Sequence, residues 1–435
     1  MVGEQTDRHM DIAGQGQEQE EGGSWLKKLG PGLITGAADD DPSGIATYSQ
    51  AGAQFGFSML WTVLFTYPLM VGIQIVSARI GRVTGHGLAT NIRLYYPKWL
   101  LYAVIALLLL ANTINIAADV SAMGDALHLI VGGPSQLYAV GFGLLSLLLQ
   151  VFLAYKRYVR ILKWLTLALL SYVATALVVH VPWTEVALRT FMPHLSWKTE
   201  YITTVVAVFG TTISPYLFFW QASQEVEEQL ATPGAAPLIR APQQARANLR
   251  RIKLDTYIGM GFSNMVAFFI ILTAAVTLNL HGVGNIQTSA QAATALRPIA
   301  GEFAFFLFSA GIIGTGLLAI PVLAGASAYA MAGTFEWKNS LDSKLHAAKA
   351  FYGVIIVSTV VGTGLGFSAV DPIKALYWSA VVNGVISVPI MTVMMLMASR
   401  TDIMGTFVIR RKLQVLGWLA ALMMAIAVVA MLVTL

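Results

Sequence analysis

The chain has 435 residues, of which 56% are hydrophobic and 11% charged, with a formal net charge of +5 and no cysteine. Soluble chains carry about 25% charged residues, so this composition argues against a soluble enzyme or binding domain. The basic residues are scattered in short loops and form no nucleic-acid patch, and without cysteine there is no disulfide, thiolate metal site or redox switch.

Residues 1–24 are polar, rich in Glu, Gln and Gly, and lack the basic start and apolar run of a signal peptide. They read as a disordered cytoplasmic tail. Residues 25–435 read as a single transmembrane domain, because many stretches reach the roughly 20 apolar residues that cross a bilayer. Spans fall near 29–53, 58–80, 99–128, 134–155, 159–181, 200–223, 255–280, 300–333, 345–367, 372–398 and 413–434, eleven in all.

Span one is the most informative. Leu29-Gly30-Pro31-Gly32-Leu33-Ile34-Thr35-Gly36 leads to Asp39-Asp40-Asp41-Pro42-Ser43-Gly44, and a small-residue apolar run follows to Phe57. Carboxylates at membrane depth are expensive and imply a partner or a water-filled cavity. Proline and glycine at the same point break the helix, and broken backbone at that depth persists only against protein or a cavity. A carboxylate beside freed carbonyls outlines a cation site. Span three is long enough to tilt. Span eight holds Gly311, Gly314, Gly316, Pro321 and Gly325 and is predicted to bend. Between spans six and seven, Glu225 to Asp255 includes Pro233, Gly234, Pro237 and Pro242 and reads as an aperiodic cytoplasmic connector.

The bias of Lys and Arg orients the chain. With the N-terminus inside, all but four of the 27 basic residues lie on the inner side; the four are Arg189, Lys198, Arg297 and Lys374. An odd number of spans then puts the C-terminus outside. The expected location is a plasma (inner) membrane, crossed many times.

Span six is interrupted in its middle, at Gly210-Thr211-Thr212-Ile213-Ser214-Pro215. It lies five spans after span one. Five is odd, so the second group of five sits inverted relative to the first. Repeat one covers about 29–181, repeat two about 200–398, and the helix near 413–434 is extra. Interrupted helices at matching positions of inverted halves point to a midplane binding site. The bland alternative is that Gly and Pro are common in membrane helices.

Gly30-Pro31-Gly32 and Asp41-Pro42-Ser43-Gly44, with Gly210 through Pro215, resemble the NRAMP family of divalent-metal transporters. Tyr158-Val159-Arg160-Ile161-Leu162-Lys163 and the glycine-rich span eight extend the resemblance over roughly spans one to ten. It implies an all-α polytopic membrane protein of LeuT type. That fold is a 5+5 inverted repeat with about 11 transmembrane helices, helices one and six broken at the midplane, and the ion between them.

The departures are informative. The family's first-helix motif is Asp-Pro-Gly-Asn; here its last two positions are Ser43 and Gly44, so the asparagine ligand is gone. The family's sixth helix carries methionine before the proline and histidine after it; here these are Ser214 and Tyr216. Its third helix carries an acidic pair for proton passage; here Ala118 and Ser121 stand there, with Asp119 one place off. In these respects the chain is similar to the NRAMP-related magnesium transporters, a branch lacking the methionine and the proton route.

Ligand chemistry points the same way. A thioether favours transition metals, whereas oxygen suits magnesium, calcium and manganese. Magnesium sheds water reluctantly and keeps several waters beside one or two carboxylates. Gly44 and Ser214 make a wide site, in which only oxygen is offered. The candidate metal site is Asp41, Ser43, Gly44, Thr211 and Ser214, with Ser214 acting directly or through water. Asp40, Asp39, Tyr216, Asn383 and Asp119 are candidates for the path or the surroundings. Asp39 and Asp40 cannot share a helical face with Asp41; they line an aqueous path or are solvated vestibule carboxylates. Thr212 is expected to bond back to its own helix. Tyr216 reads as packing with a polar tip, and Asn383 as an interhelical hydrogen bond rather than an orienter of bound water. Asn112, Thr113, Asn115 and Asp119 on span three, and Asn264 on span seven, line a hydrated route or join helices. Glu225, Glu227 and Glu228 read as a solvated helix end.

All seven histidines, His9, His86, His128, His180, His194, His281 and His346, lie in the tail, loops or span ends. Histidine is the usual proton carrier near neutrality, so the expectation is import of a divalent metal, Mg2+ or also Mn2+, down its electrochemical gradient. No cofactor, no nucleic acid and no enzymatic motif is expected; the partners are the metal ion and the lipid bilayer. The alternatives are a proton-coupled Mn2+/Fe2+ transporter of the main branch, a transporter of an organic amine, and a membrane metal sensor without flux.

Overall fold

The structure, a computed structural model, describes residues 35–36, 38–152, 165–338, 341, 346, 348–367 and 371–435. The predicted tail, Gly30-Pro31-Gly32 and the 158–163 motif lie outside the described residues. Within them every regular element is helical. The principal helices are α1 (Pro42–Phe55), α2 (Leu60–Thr84), α3 (Lys98–Val131), α4 (Ser135–Phe152), α5 (Leu170–Val178), α6 (Thr199–Thr212), α7 (Pro215–Ala231), α8 (Ala245–Thr277), α9 (Ala304–Phe335), α10 (Lys349–Leu365), α11 (Pro372–Ala398) and α12 (Arg411–Thr434). Each predicted span overlaps one of them, α6 and α7 being the halves of span six, and spans one and five begin outside the described residues. Eight stretches of the described residues are long and apolar enough to cross a membrane, and the first, Pro42–Thr84, contains both α1 and α2.

Burial ranks the helices. The apolar window of Thr199–Ala231, which holds α6 and α7, is 100% buried, against 22% in α4 and 39% in α12. The broken span therefore runs through the centre, and α4 and α12 lie at the periphery. Small residues let the central helices close on one another: a Cβ on Gly210 of α6 would strike the backbone of Ala380 and Gly384 of α11. Such close approach is how membrane helices gain packing without a hydrophobic drive.

Span eight is α9, helical throughout with Pro321 inside it. Its glycines admit neighbours, and a Cβ on Gly325 would stand 2.7 Å from the Trp220 ring. One expectation needs correction: the 225–255 connector is mostly helical, since α7 continues to Ala231 and α8 begins at Ala245. The solvated-end reading of Glu225 fails with it. Glu225 is fully buried, and Arg251 of α8 meets it at 2.6 Å, Glu228 at 3.1 Å and Asp255 at 3.4 Å. A charge-rich sequence resembles a wet surface until an opposite helix supplies its counter-ion. Gln221 donates to Glu225 and receives Thr35 from span one, so this clasp ties three segments together.

Candidate metal site

Both interrupted spans use the same local device. In span one, Thr35, Gly36, Ala38 and Asp39 are helical, Asp40 is a bend, and Asp41 is extended at φ −72° and ψ 171°. Pro42 then starts α1 at N1, where its missing N–H costs nothing. In span six, α6 ends at Thr212, Ser214 is extended at φ −78° and ψ 133°, and Pro215 starts α7.

The caps differ. Asp41 caps α1 with its own side chain, its Oδ1 accepting from Gly44 N at 2.8 Å and Ser43 Oγ at 2.7 Å. One oxygen of the carboxylate is thus fixed, and its orientation with it. Ser214 makes no cap. Its hydroxyl points back at the carbonyls of Gly210 (2.9 Å) and Thr211 (2.8 Å). Other carbonyls at the breaks are met by hydroxyls as well: Tyr216 donates to Ala38 O at 3.1 Å, and Ser387 of α11 to Ile213 O at 2.8 Å. Each carbonyl keeps a second lone pair, and each hydroxyl oxygen keeps its own, so both remain able to face a cation or its water.

The breaks meet at Gly44. A Cβ there would lie 3.3 Å from Thr211 Oγ1, 3.4 Å from the Tyr48 ring and 3.5 Å from Asp41 Oδ1. A side chain at 44 would therefore enter the space between the carboxylate of one break and the threonine of the other. Thr211 Oγ1 is buried and makes no hydrogen bond among the described residues. Thr212 bonds back to Val208 O at 2.6 Å, as expected, and also meets Tyr48 Oη at 3.1 Å.

The remaining candidates fall into place around this point. Ser43 backs Asp41 rather than standing free. Asp39 and Asp40 are buried, not solvated: Ser263 Oγ of α8 lies 2.5 Å from Asp39 Oδ2 and 3.0 Å from Asp40 Oδ1. Helix α8 packs over this stretch, which local sequence could not foretell. Tyr216 is a buried ring with a bonded tip. Asn383 was expected to join helices, but neither atom of its buried amide has a partner among the described residues. Asn112 and Asn264 do join helices, through Leu323 O and Val63 O. Asn115 and Asp119 are buried and unbonded.

Sequence reasoning missed Tyr48, Ser263 and Ser387. Tyr48 lies one turn beyond Gly44, a spacing that could have flagged it; the two serines had no local signal. Among the described residues no three His, Asp or Glu groups converge on one point. What converges instead is one oriented carboxylate with hydroxyls and carbonyls.

Beyond Tyr48, Gln50 closes the next layer, donating to Asn285 Oδ1 at 3.0 Å and accepting from Ile286 N at 2.9 Å. Past it opens a cavity of about 340 Å³, lined among others by Gln54, Glu200, Thr203 and Tyr377.

Comparison with known proteins agrees with this architecture. A divalent metal cation transporter MntH of Deinococcus radiodurans is 26% identical over 413 residues, covering 91% of this chain and 87% of the relative. A protein of the same description from Yersinia enterocolitica is 29% identical over 300 residues, covering 67% and 69%. Among solved structures, a manganese transporter of Eremococcus coleocola superposes with a TM-score of 0.70 at 18% identity, covering 95% of this chain and 88% of that one. The fold is the LeuT-type one expected. The family model described as "Natural resistance-associated macrophage protein-like" matches residues 32–434, and the chain therefore belongs to the Nramp family.

Proposed function

We propose that this chain is a membrane importer of divalent metal cations that takes Mg2+ and also Mn2+ and moves them without a coupled proton. The observation that carries the reading is the donor set where the two breaks meet. Gly44 brings no side chain where the family's motif places an asparagine, and the position is lined by Asp41 Oδ1 and Thr211 Oγ1. A small ion that keeps several waters needs few direct ligands, all of them oxygen. Ser214 in place of a thioether removes the soft contact that favours transition metals. Asp41 supplies the charge; Thr211, Ser214 and nearby carbonyls supply oxygen, directly or through water. The matched relatives are transporters, and no enzymatic role is assigned.

The basic residues favour a cytoplasmic N-terminus, an outer C-terminus and a plasma-membrane location. In this orientation the cavity beyond Gln50 is the outer vestibule and the Arg251 clasp closes the inner mouth. Rocking of one helix group against the other, around a fixed site, completes the cycle.

A manganese reading, the proton-coupled alternative among the expectations, is favoured by the relatives, which are described as a divalent metal cation transporter MntH and a manganese transporter. Two measurements in proteoliposomes separate the readings. Uptake competition among Mg2+, Mn2+, Ca2+ and Cd2+ is expected to show Mg2+ competing with Mn2+ at similar concentration. A lumenal pH dye is expected to stay silent during metal uptake. Manganese outcompeting excess magnesium, or acidification of the lumen, would overturn the respective half of the proposal.

A further inference from the structure

Six carboxylates are buried among the described residues: Asp39, Asp40, Asp41, Asp119, Glu225 and Asp255. Five have partners. Ser263 meets Asp39 and Asp40, Ser43 and the α1 N-terminus hold Asp41, and Arg251 pairs with Glu225 and Asp255. Asp119 is different, because neither of its oxygens makes a hydrogen bond among the described residues. A carboxylate stripped of water and left bare is strongly unfavourable, and it is relieved by a proton or by a cation beside it.

The surroundings of Asp119 are polar along one line. Asn115 lies one turn earlier on α3, and both its amide atoms are unbonded. Asn112 is the next step. Its Nδ2 grips Leu323 O at 3.0 Å and Ser327 Oγ at 2.9 Å on α9, while its Oδ1 stays free. One turn beyond Asp119 in the other direction, Met123 meets Pro42 across Gly316. A Cβ on Gly316 would lie 2.8 Å from Met123 Cγ and 3.3 Å from Pro42 Cγ. Pro42 directly follows Asp41, so Asp119 stands about one turn of α3 from the first break.

We propose that Asp119 is a second anionic station on the cation route. A divalent ion that keeps part of its water shell passes between the Asp41 and Asp119 carboxylates, and the Asn115 amide holds shell water. No covalent step is involved. The inference rests on the transport reading above and adds a residue to it. It fits a hydrated hard cation because every group offered is oxygen or amide.

The test uses the full chain in proteoliposomes, with Mg2+ and Mn2+ as separate probes and initial uptake rates taken across the neutral pH range. Asp119→Asn keeps the shape and removes the charge; Asp119→Glu keeps the charge. The asparagine variant is expected to raise the apparent KM about tenfold for both ions, with the glutamate variant close to wild type at every pH. Asn115→Leu is expected to raise KM by a smaller factor. Thermal stability of each variant is read alongside. An unchanged KM in the asparagine variant overturns the inference. So does an intact KM with a lost pH dependence, which makes Asp119 a proton carrier, or an equal loss in the asparagine and glutamate variants, which makes it a packing residue. Wild-type protein that carries neither ion defeats the transport reading itself, before any variant is compared.

Discussion

At the first break a charged side chain caps the helix it begins; at the second, a hydroxyl turns back on the helix it ends. Both have the same backbone device, an extended residue followed by proline at N1. The difference lies in what each leaves for an ion. Asp41 is held by Gly44 N and Ser43, so its charge arrives pre-oriented. Ser214 and Thr211 bring neutral oxygen whose lone pairs are uncommitted. The asymmetry teaches that one break supplies attraction and the other sets the size and hardness of the site. Affinity and selectivity should therefore separate by mutation.

The largest effect is expected at the charged break. Asp41→Ala should reduce metal uptake by about a hundredfold, the upper range for loss of a metal-site group, in protein that still runs as a folded monodisperse species. Transport at the wild-type rate would mean that the ion uses other ligands. Gly44→Asn tests where the breaks meet. It should lower Mg2+ uptake by about tenfold and Mn2+ uptake less, because the added amide displaces water that only magnesium needs to keep. Equal loss for both ions would reduce Gly44 to a packing requirement. Ser214→Met acts on the neutral break alone. The preference for Mn2+ or Cd2+ over Mg2+ should rise about fivefold in competition uptake, and no shift would remove the softness argument. Tyr216→Phe should matter least. It deletes the bond to Ala38 O, and a thermal melt should report a loss of about 1 kcal/mol with selectivity intact.

The breaks were legible because they are local. Asp41-Pro42 and Ser214-Pro215 stand out against apolar sequence, and proline, glycine and carboxylates have few reasons to be there. The family motif then named Gly44 and Ser214 as the departures. The partners were not legible. Ser263 and Ser387 lie far along the chain from the breaks they serve, on helices whose sequence only asks for burial. Asn383 was read as a helix-to-helix bond because a buried amide normally finds one. Glu225 was read as wet because its neighbours are charged, and the ion that neutralises it, Arg251, belongs to another helix. The glycines of span eight were not legible as contact points: Gly325 and Gly316 admit Trp220 and Met123, a property of the neighbours rather than of the helix.

The Arg251 clasp sets a scale for the driving force. In the proposed orientation the clasp stands at the inner mouth, where parting α7 from α8 would strip Arg251 from Glu225 and parting span one from α7 would break Thr35 from Gln221. Separating a buried ion pair costs about 3–5 kcal/mol. A doubly charged ion falling through 100 mV releases about 4.6 kcal/mol, at ~2.3 per charge. Latch and electrical work are of one size, so uptake should steepen with applied voltage, and Glu225→Gln should flatten that slope in vesicles held at graded potassium diffusion potentials.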